Sequence, residues 1–328
     1  MKKILKIFLV LIIIVAVGIT GLLSYVSFAL PDVGQAHELT IEATPERLIR
    51  GEYLATSVVG CIDCHSKRDF SRFGGPIDFA TAGQGGELFG SQMGFPGEYY
   101  SSNISPFAIG NWTDGELFRA ITTGVSKDGR ALFPIMPYPH FAKMDKEDIY
   151  SIIAYIRTLE PVEFTPPKSV SAFPMNFIIN TIPQPAAFTT VPPQEELIKY
   201  GEHMTNAALC MDCHTQQVKG QYVMDKYMAG GFEFPMPTGG IVRSANITPD
   251  KKSGIGNWTE QQFIARFKMY SDSSYTAPKI NPGEFNTMMP WAYYTHMKEE
   301  DLKAIFTYLQ SIQPIENVVV KFDPPKTP

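Results

Sequence analysis

Cys61-Ile62-Asp63-Cys64-His65 and Cys210-Met211-Asp212-Cys213-His214 decide how this chain folds and what it holds. Each is a Cys-x-x-Cys-His string, the attachment signature of a c-type haem. Two thiols a short turn apart reach the two vinyl groups of one porphyrin. The adjacent histidine lies under the ring with a nitrogen for iron. The chain has four cysteines, all inside these strings, so none remains for a disulfide or a nucleophile. A structural zinc site would need two more ligands in each half, and a thioredoxin-like redox pair does not need the trailing histidine. The strings therefore predict two covalently bound haem c groups, one held by Cys61, Cys64 and His65 and the other by Cys210, Cys213 and His214.

Working outward, the surroundings of the two strings repeat. Gly51-Glu52 recurs as Gly201-Glu202, Asn103-Ile104-Ser105-Pro106 as Asn246-Ile247-Thr248-Pro249, Gly110-Asn111-Trp112-Thr113 as Gly256-Asn257-Trp258-Thr259, and Met136-Pro137-Tyr138 as Met289-Pro290-Trp291. The order is the same in both halves while the spacing drifts, the mark of a tandem duplication with loops of changing length. Helix-start signals stand at Thr44-Pro45-Glu46 and Pro193-Gln194-Glu195-Glu196, with proline and acids in the first turn. Thr113 with Glu116 and Thr259 with Gln262 are capping boxes for a middle helix. A last helix starts near Asp145, with Ile149, Ile152, Ile153 and Ile156 on one face; Leu302, Ile305, Phe306 and Leu309 answer in the second half. These faces are expected to be core, packed on the first helix of each half.

A histidine-anchored haem has a second axial position, and its occupant separates an electron carrier from a catalyst. Met136 and Met289 are the candidates, each followed by proline and an aromatic residue just before the last helix. Met144 and Met297 also repeat but read as core, and Met288 is a register alternative to Met289. The remaining histidines do not repeat: His140 aligns with Tyr293, His203 with Tyr53, His296 with Lys143, and His37 precedes the first half. The metal ligands expected are thus His65, Met136, His214 and Met289. Trp112 and Trp258 are expected to pack near the porphyrin or cap the middle helix. Asn103, Asn246 and Arg130 are candidates for hydrogen bonds to propionates.

Ile7 to Leu30 is a run of 24 residues without a charge, preceded by Lys2, Lys3 and Lys6. It is long enough to span a bilayer with its start on the cytoplasmic side. A retained anchor is expected; a signal peptide cleaved near Ser27-Phe28-Ala29 is the alternative. Net charge is −5, and without those three lysines 25 basic residues stand against 33 acidic, or −8. That balance excludes nucleic acid as a natural partner.

The stretches Asn103-Ile104-Ser105-Pro106, Gly110-Asn111-Trp112-Thr113, Leu132 to Pro139, Phe141-Ala142-Lys143-Met144, Tyr155 to Leu159, Asn246 to Asp250 and Gly254 to Thr259 carry a family resemblance. The chain resembles, over roughly residues 45–318, the multihaem cytochrome c subunits of membrane-bound alcohol, gluconate and related sugar or aldehyde dehydrogenases. That resemblance implies iron ligation by the methionine of each Met-Pro pair. Those subunits often carry three haems, whereas this chain has two attachment strings. The expected fold is all-α: two tandem class I-like cytochrome c domains with long loops, preceded by one transmembrane helix. The divisions expected are an anchor at 1–30, haem domains at 44–165 and 193–318, a packed proline-rich linker at 166–192, and a tail at 319–328. The function expected is that of a dihaem electron carrier, or the cytochrome subunit of a larger oxidoreductase complex, rather than an enzyme, anchored in a bacterial inner membrane with its haem domains on the periplasmic side. Its partners would be a dehydrogenase or quinol-oxidising respiratory complex on one side and a terminal oxidase or soluble cytochrome on the other. A dihaem peroxidase or thiosulfate dehydrogenase is the alternative.

Overall fold

A computed structural model of the chain describes residues 2–272 and 274–325. Helix α1 runs from Lys2 to Phe28, with none of its residues buried. An 18-residue stretch within it has a mean hydropathy of 2.9, and its length of 27 residues suits a membrane span.

Two similar series of helices follow. The first comprises α2 (Pro45–Tyr53), α3 (Cys61–Cys64), α4 (Pro106–Ile109), α5 (Asp114–Thr123), α6 (Tyr138–Phe141) and α7 (Lys146–Ile156). A short α8 (Met175–Ile178) lies between the series. The second comprises α9 (Leu197–Ala207), α10 (Cys210–His214), α11 (Glu260–Lys268), α12 (Trp291–Tyr294) and α13 (Glu299–Ser311). Both capping boxes form: Thr113 and Thr259 each accept from the third backbone amide of α5 or α11, and Glu116 and Gln262 reach back. Asp145 caps α7 through its side chain. α9 starts later than its proline signal, because the Pro193 carbonyl closes a turn with the Glu196 amide at 3.0 Å before the helix begins.

In each half the first helix crosses the last, α2 on α7 and α9 on α13. The crossings explain the repeated glycines. A Cβ on Gly51 would stand 1.9 Å from the Ser151 carbonyl oxygen, and one on Gly201 would stand 2.0 Å from that of Ala304. Backbone touches backbone there, so no side chain fits. The apolar faces expected of the last helices are the buried ones: Ile149, Ile152, Ile153 and Ile156 are at most 3% exposed, and Leu302, Ile305, Phe306 and Leu309 at most 9%. The buried apolar side chains of both halves join into one continuous cluster.

The chain is not all-α. Strands β1 (Leu88–Phe89), β2 (Gly97–Tyr100) and β3 (Val170–Ser171) make one small antiparallel sheet. β4 (Gln217–Val218) and β5 (Gln221–Tyr222) make a hairpin. β6 (Glu233–Pro235), β7 (Ile241–Arg243) and β8 (Phe322–Asp323) make a third sheet. Strands of two to four residues are too short to show a period-two pattern, so sequence periodicity could not reveal them.

The proline-rich connection touches the rest of the chain at a few points. β3 joins the first sheet, the Ala187 and Thr189 amides donate to the Ala142 and Met144 carbonyls, and Asn180 Nδ2 donates to the Val26 carbonyl of α1 at 3.2 Å. The carboxyl-terminal segment enters the third sheet through β8.

Candidate functional site

Each Cys-x-x-Cys string forms one helical turn, α3 or α10, on the end of the preceding helix. α2 reaches it through a π-helical stretch, Leu54–Val58. Cys61, Cys64 and Cys210 are half-buried and Cys213 is exposed. Desolvation pushes the thiols of Cys61 and Cys210 up to about 12, so both are neutral near pH 7.

The histidines are set identically. His65 Nδ1 donates to the Ser102 carbonyl at 2.6 Å, and His214 Nδ1 to the Ala245 carbonyl at 2.7 Å. Burial lowers the pKa of both rings, against the raising effect of those carbonyls. A neutral imidazole whose Nδ1–H is committed to a carbonyl leaves its Nε2 lone pair for a metal, with the ring orientation fixed.

Sequence reasoning missed the groups that hold those carbonyls in place. The Gly85 amide donates to the His65 carbonyl and the Gly230 amide to that of His214, both at 2.8 Å. Both glycines have positive φ, and a Cβ on either would stand 2.4 Å from the carbonyl oxygen that accepts from the histidine. Gly85-Gly86 and Gly230-Gly231 repeat, and that repetition was the available signal. The residue after each carbonyl is Asn103 or Asn246, each 4% exposed. Asn103 Nδ2 donates to the Val162 and Phe164 carbonyls, and its Oδ1 accepts from Ser105. Asn246 Nδ2 donates to Ile315, and its Oδ1 accepts from Thr248. These side chains are spent on tying the carbonyl strand to the chain beyond the last helix. They are not free for propionates, which corrects that expectation; Arg130 lies exposed on its loop. Trp112 packs against the core, whereas Trp258 is 39% exposed.

The methionine loops share a backbone device. The Tyr138 amide donates to the Met136 carbonyl and the Trp291 amide to the Met289 carbonyl, each at 2.8 Å. Pro137 (φ −81°, ψ 46°) and Pro290 (φ −81°, ψ 67°) sit between, in an inverse γ-turn. The proline ring holds φ near the value this turn needs. The turn matches Met289, not Met288, to Met136. Both methionines are half-buried, whereas Met144 and Met297 are 0% and 1% exposed within the core.

Buried polar atoms near the strings lack partners. Arg68 donates through Nη1 to Asp63 at 2.7 Å; its Nε only approaches Glu87 Oε2 at 3.6 Å, its Nη2 has no hydrogen bond among the described residues, and its side chain is 8% exposed. The hydroxyl of Tyr138, beside the Met136 turn, is also unpartnered. Two neutral thiols, an imidazole nitrogen, a thioether and a guanidinium with donors to spare fit a covalently attached porphyrin carrying carboxylates. In the second half Asp212 takes the place of Asp63 and accepts instead from Tyr222 at 2.5 Å and from His140 Nε2 at 2.7 Å.

Comparison with known proteins finds similarity to c-type cytochromes. Residues 198–313 match the cytochrome c family and form a cytochrome c domain, a type that carries haem c and transfers electrons. The chain is 27% identical over 302 residues to the cytochrome c subunit of the quinone-dependent alcohol dehydrogenase of Gluconacetobacter polyoxogenes, covering 86% of this chain and 59% of that protein. It is 29% identical over 279 residues to the fructose dehydrogenase cytochrome subunit of Gluconobacter japonicus, covering 80% and 52%. It is 28% identical over 272 residues to a diheme cytochrome c-type protein of Cereibacter sphaeroides, covering 78% and 83%. The chain thus spans between half and three-fifths of the length of these two dehydrogenase subunits.

Proposed function

We propose that the chain is a membrane-anchored dihaem electron carrier. The observation that carries this reading is the repeated pairing of a histidine locked by its Nδ1–H to a carbonyl with a methionine held in a proline γ-turn. Haem iron supplies reversible one-electron transfer when bound. The protein's part would be to supply the groups that hold the haem and its iron. Cys61 and Cys64, or Cys210 and Cys213, hold the porphyrin edge. His65 or His214 would ligate the iron through Nε2, oriented by the Ser102 or Ala245 carbonyl. Met136 or Met289 would supply a thioether ligand, which would keep peroxide and thiosulfate from the iron and favour a high potential. The two matched methionine turns weigh against the enzyme alternative for the same reason.

Similarity to dehydrogenase cytochrome subunits supports a dehydrogenase as electron donor; a quinol-oxidising complex is the other source in this reading, and a terminal oxidase or soluble cytochrome the acceptor. The apolar α1 with its leading lysines supports an inner-membrane anchor and haem-bearing halves outside the cytoplasm. Purification in mild detergent tests the partnership. A stoichiometric oxidoreductase is expected to accompany the chain, and its substrate should reduce both haems; a chain that purifies alone and is reduced by no dehydrogenase would remove the subunit reading.

A further inference from the structure

The loop that presents Met289 is bracketed by the other half of the molecule. Asn286, three residues before it, is 0% exposed. Its Nδ2 donates to the Phe70 and Arg72 carbonyls at 3.0 and 3.2 Å, and its Oδ1 accepts from the Gly74 amide at 2.9 Å. Just upstream, the Ile280 amide donates to the Ser71 carbonyl, the Phe73 amide to Pro278, and Arg72 Nη1 to Ala277, at 2.8–2.9 Å. On the far side of Met289, the buried Tyr293 places its hydroxyl against the Gly60 amide, next to Cys61, and within 3.3 Å of the Leu54 and Ala55 carbonyls. The Met289 amide itself donates to Thr287 Oγ1, so little slack separates it from Asn286. The Met136 loop is built otherwise. Its approach pairs Leu132 with Gly124 and stacks Phe133 on Tyr99 at 4.0 Å, all within the first half.

We infer that the first half positions the axial methionine of the second, with Asn286 and Tyr293 as the positioning residues. The inference rests on the axial ligation proposed above. An iron ligand must be held to about half an ångström. Here that tolerance is imposed by backbone atoms of residues 54–74, the stretch that also carries Cys61, Cys64 and His65. The second iron therefore keeps its sixth ligand only while the first half is folded against it. The Met136 loop is approached from its own half, and among the described residues only His140 on its far side bonds the second half, at Asn206 and Asp212.

The test uses the full-length protein carrying Met136→His, which leaves a thioether at the second iron alone. That protein is expected to retain about half the wild-type thioether-to-iron charge-transfer absorption and to refuse carbon monoxide when reduced. Adding Asn286→Ala, or separately Tyr293→Phe, should abolish most of the remaining band and admit about one carbon monoxide per chain, with the haem content unchanged. Glu284→Ala, whose side chain bonds, among the described residues, only Asn281 in the same loop, should change neither. A band that survives both changes, even with a lowered thermal midpoint, would show that the bracket is merely structural and overturn the inference. If Asn286→Ala fails to fold, Tyr293→Phe, which removes one oxygen atom, decides. If Met136→His shows no band before either change, the assignment of Met289 as a ligand has failed and the inference goes with it.

Discussion

At the scale of single residues, one hydrogen bond decides what each attachment histidine can do. His65 and His214 spend Nδ1–H on a carbonyl and so present Nε2. The cysteines, histidines and methionines of this site were legible in the sequence because each is named by its own side chain. The Ser102 and Ala245 carbonyls were not, since every residue has one and only the fold selects which. The glycines that let those carbonyls approach are the handle for a test. Gly230→Ala combines a left-handed backbone with a Cβ pressed on the Ala245 carbonyl. A loss of about 2–4 kcal/mol is expected, read as a thermal midpoint roughly 5–10 °C lower. An unchanged midpoint would mean that the glycine is not required. The methionines have their own signature. Met136→His should lower the reduction potential of one haem and leave the other in place, because imidazole favours ferric iron more than thioether does. Potentiometric titration separates the two; a shift in both haems, or in neither, would count against the assignment.

At the scale of elements, what could be read depended on whether the signal was local. Capping boxes and buried helix faces lie within a dozen residues, and α5, α7, α11 and α13 follow them closely. The strands were hidden because each is a few residues long and pairs with a partner chosen by the folded loops, β8 crossing from the far end of the chain to β7. The helix crossings offer the sharpest check. Gly51→Ala forces α2 off α7, since its Cβ would stand 1.9 Å from the Ser151 carbonyl oxygen. Overpacking of this kind costs about 1–3 kcal/mol or more. Thr113→Ala, which removes one side of a capping box on an exposed helix end, should cost only about 1 kcal/mol. Denaturant unfolding of the two variants side by side should show that order, and a reversed order would contradict the close-contact account.

At the scale of the whole molecule, the two halves meet through residues that the repeat aligns. Tyr53 bonds Asp301 while His203, its counterpart, faces Asp148; Tyr293 reaches the first attachment segment while His140, its counterpart, reaches Asp212 in the second. The sequence showed these four as positions where the repeat fails, and their shared place at the joint is why they were free to differ. Burial pulls the His140 pKa down, but the bonds to Asp212 and Asn206 outweigh it and the opposing charge of Lys143, and the net shift is upward from 6.5. Tyr222 also faces the ring, 3.5 Å away. A raised histidine adds stability that is fully present below its unfolded value of 6.5 and is lost as pH rises through the higher folded value. Wild type should therefore lose more stability than His140→Asn as pH rises above 6.5, and parallel curves would show that the pair is silent. The measurement that bears most directly on the account as a whole is the intact mass of the denatured full-length chain. The prediction is the polypeptide plus two haems, with one lost in Cys64→Ala and one in Cys213→Ala; a mass with one haem or none would contradict the dihaem carrier outright.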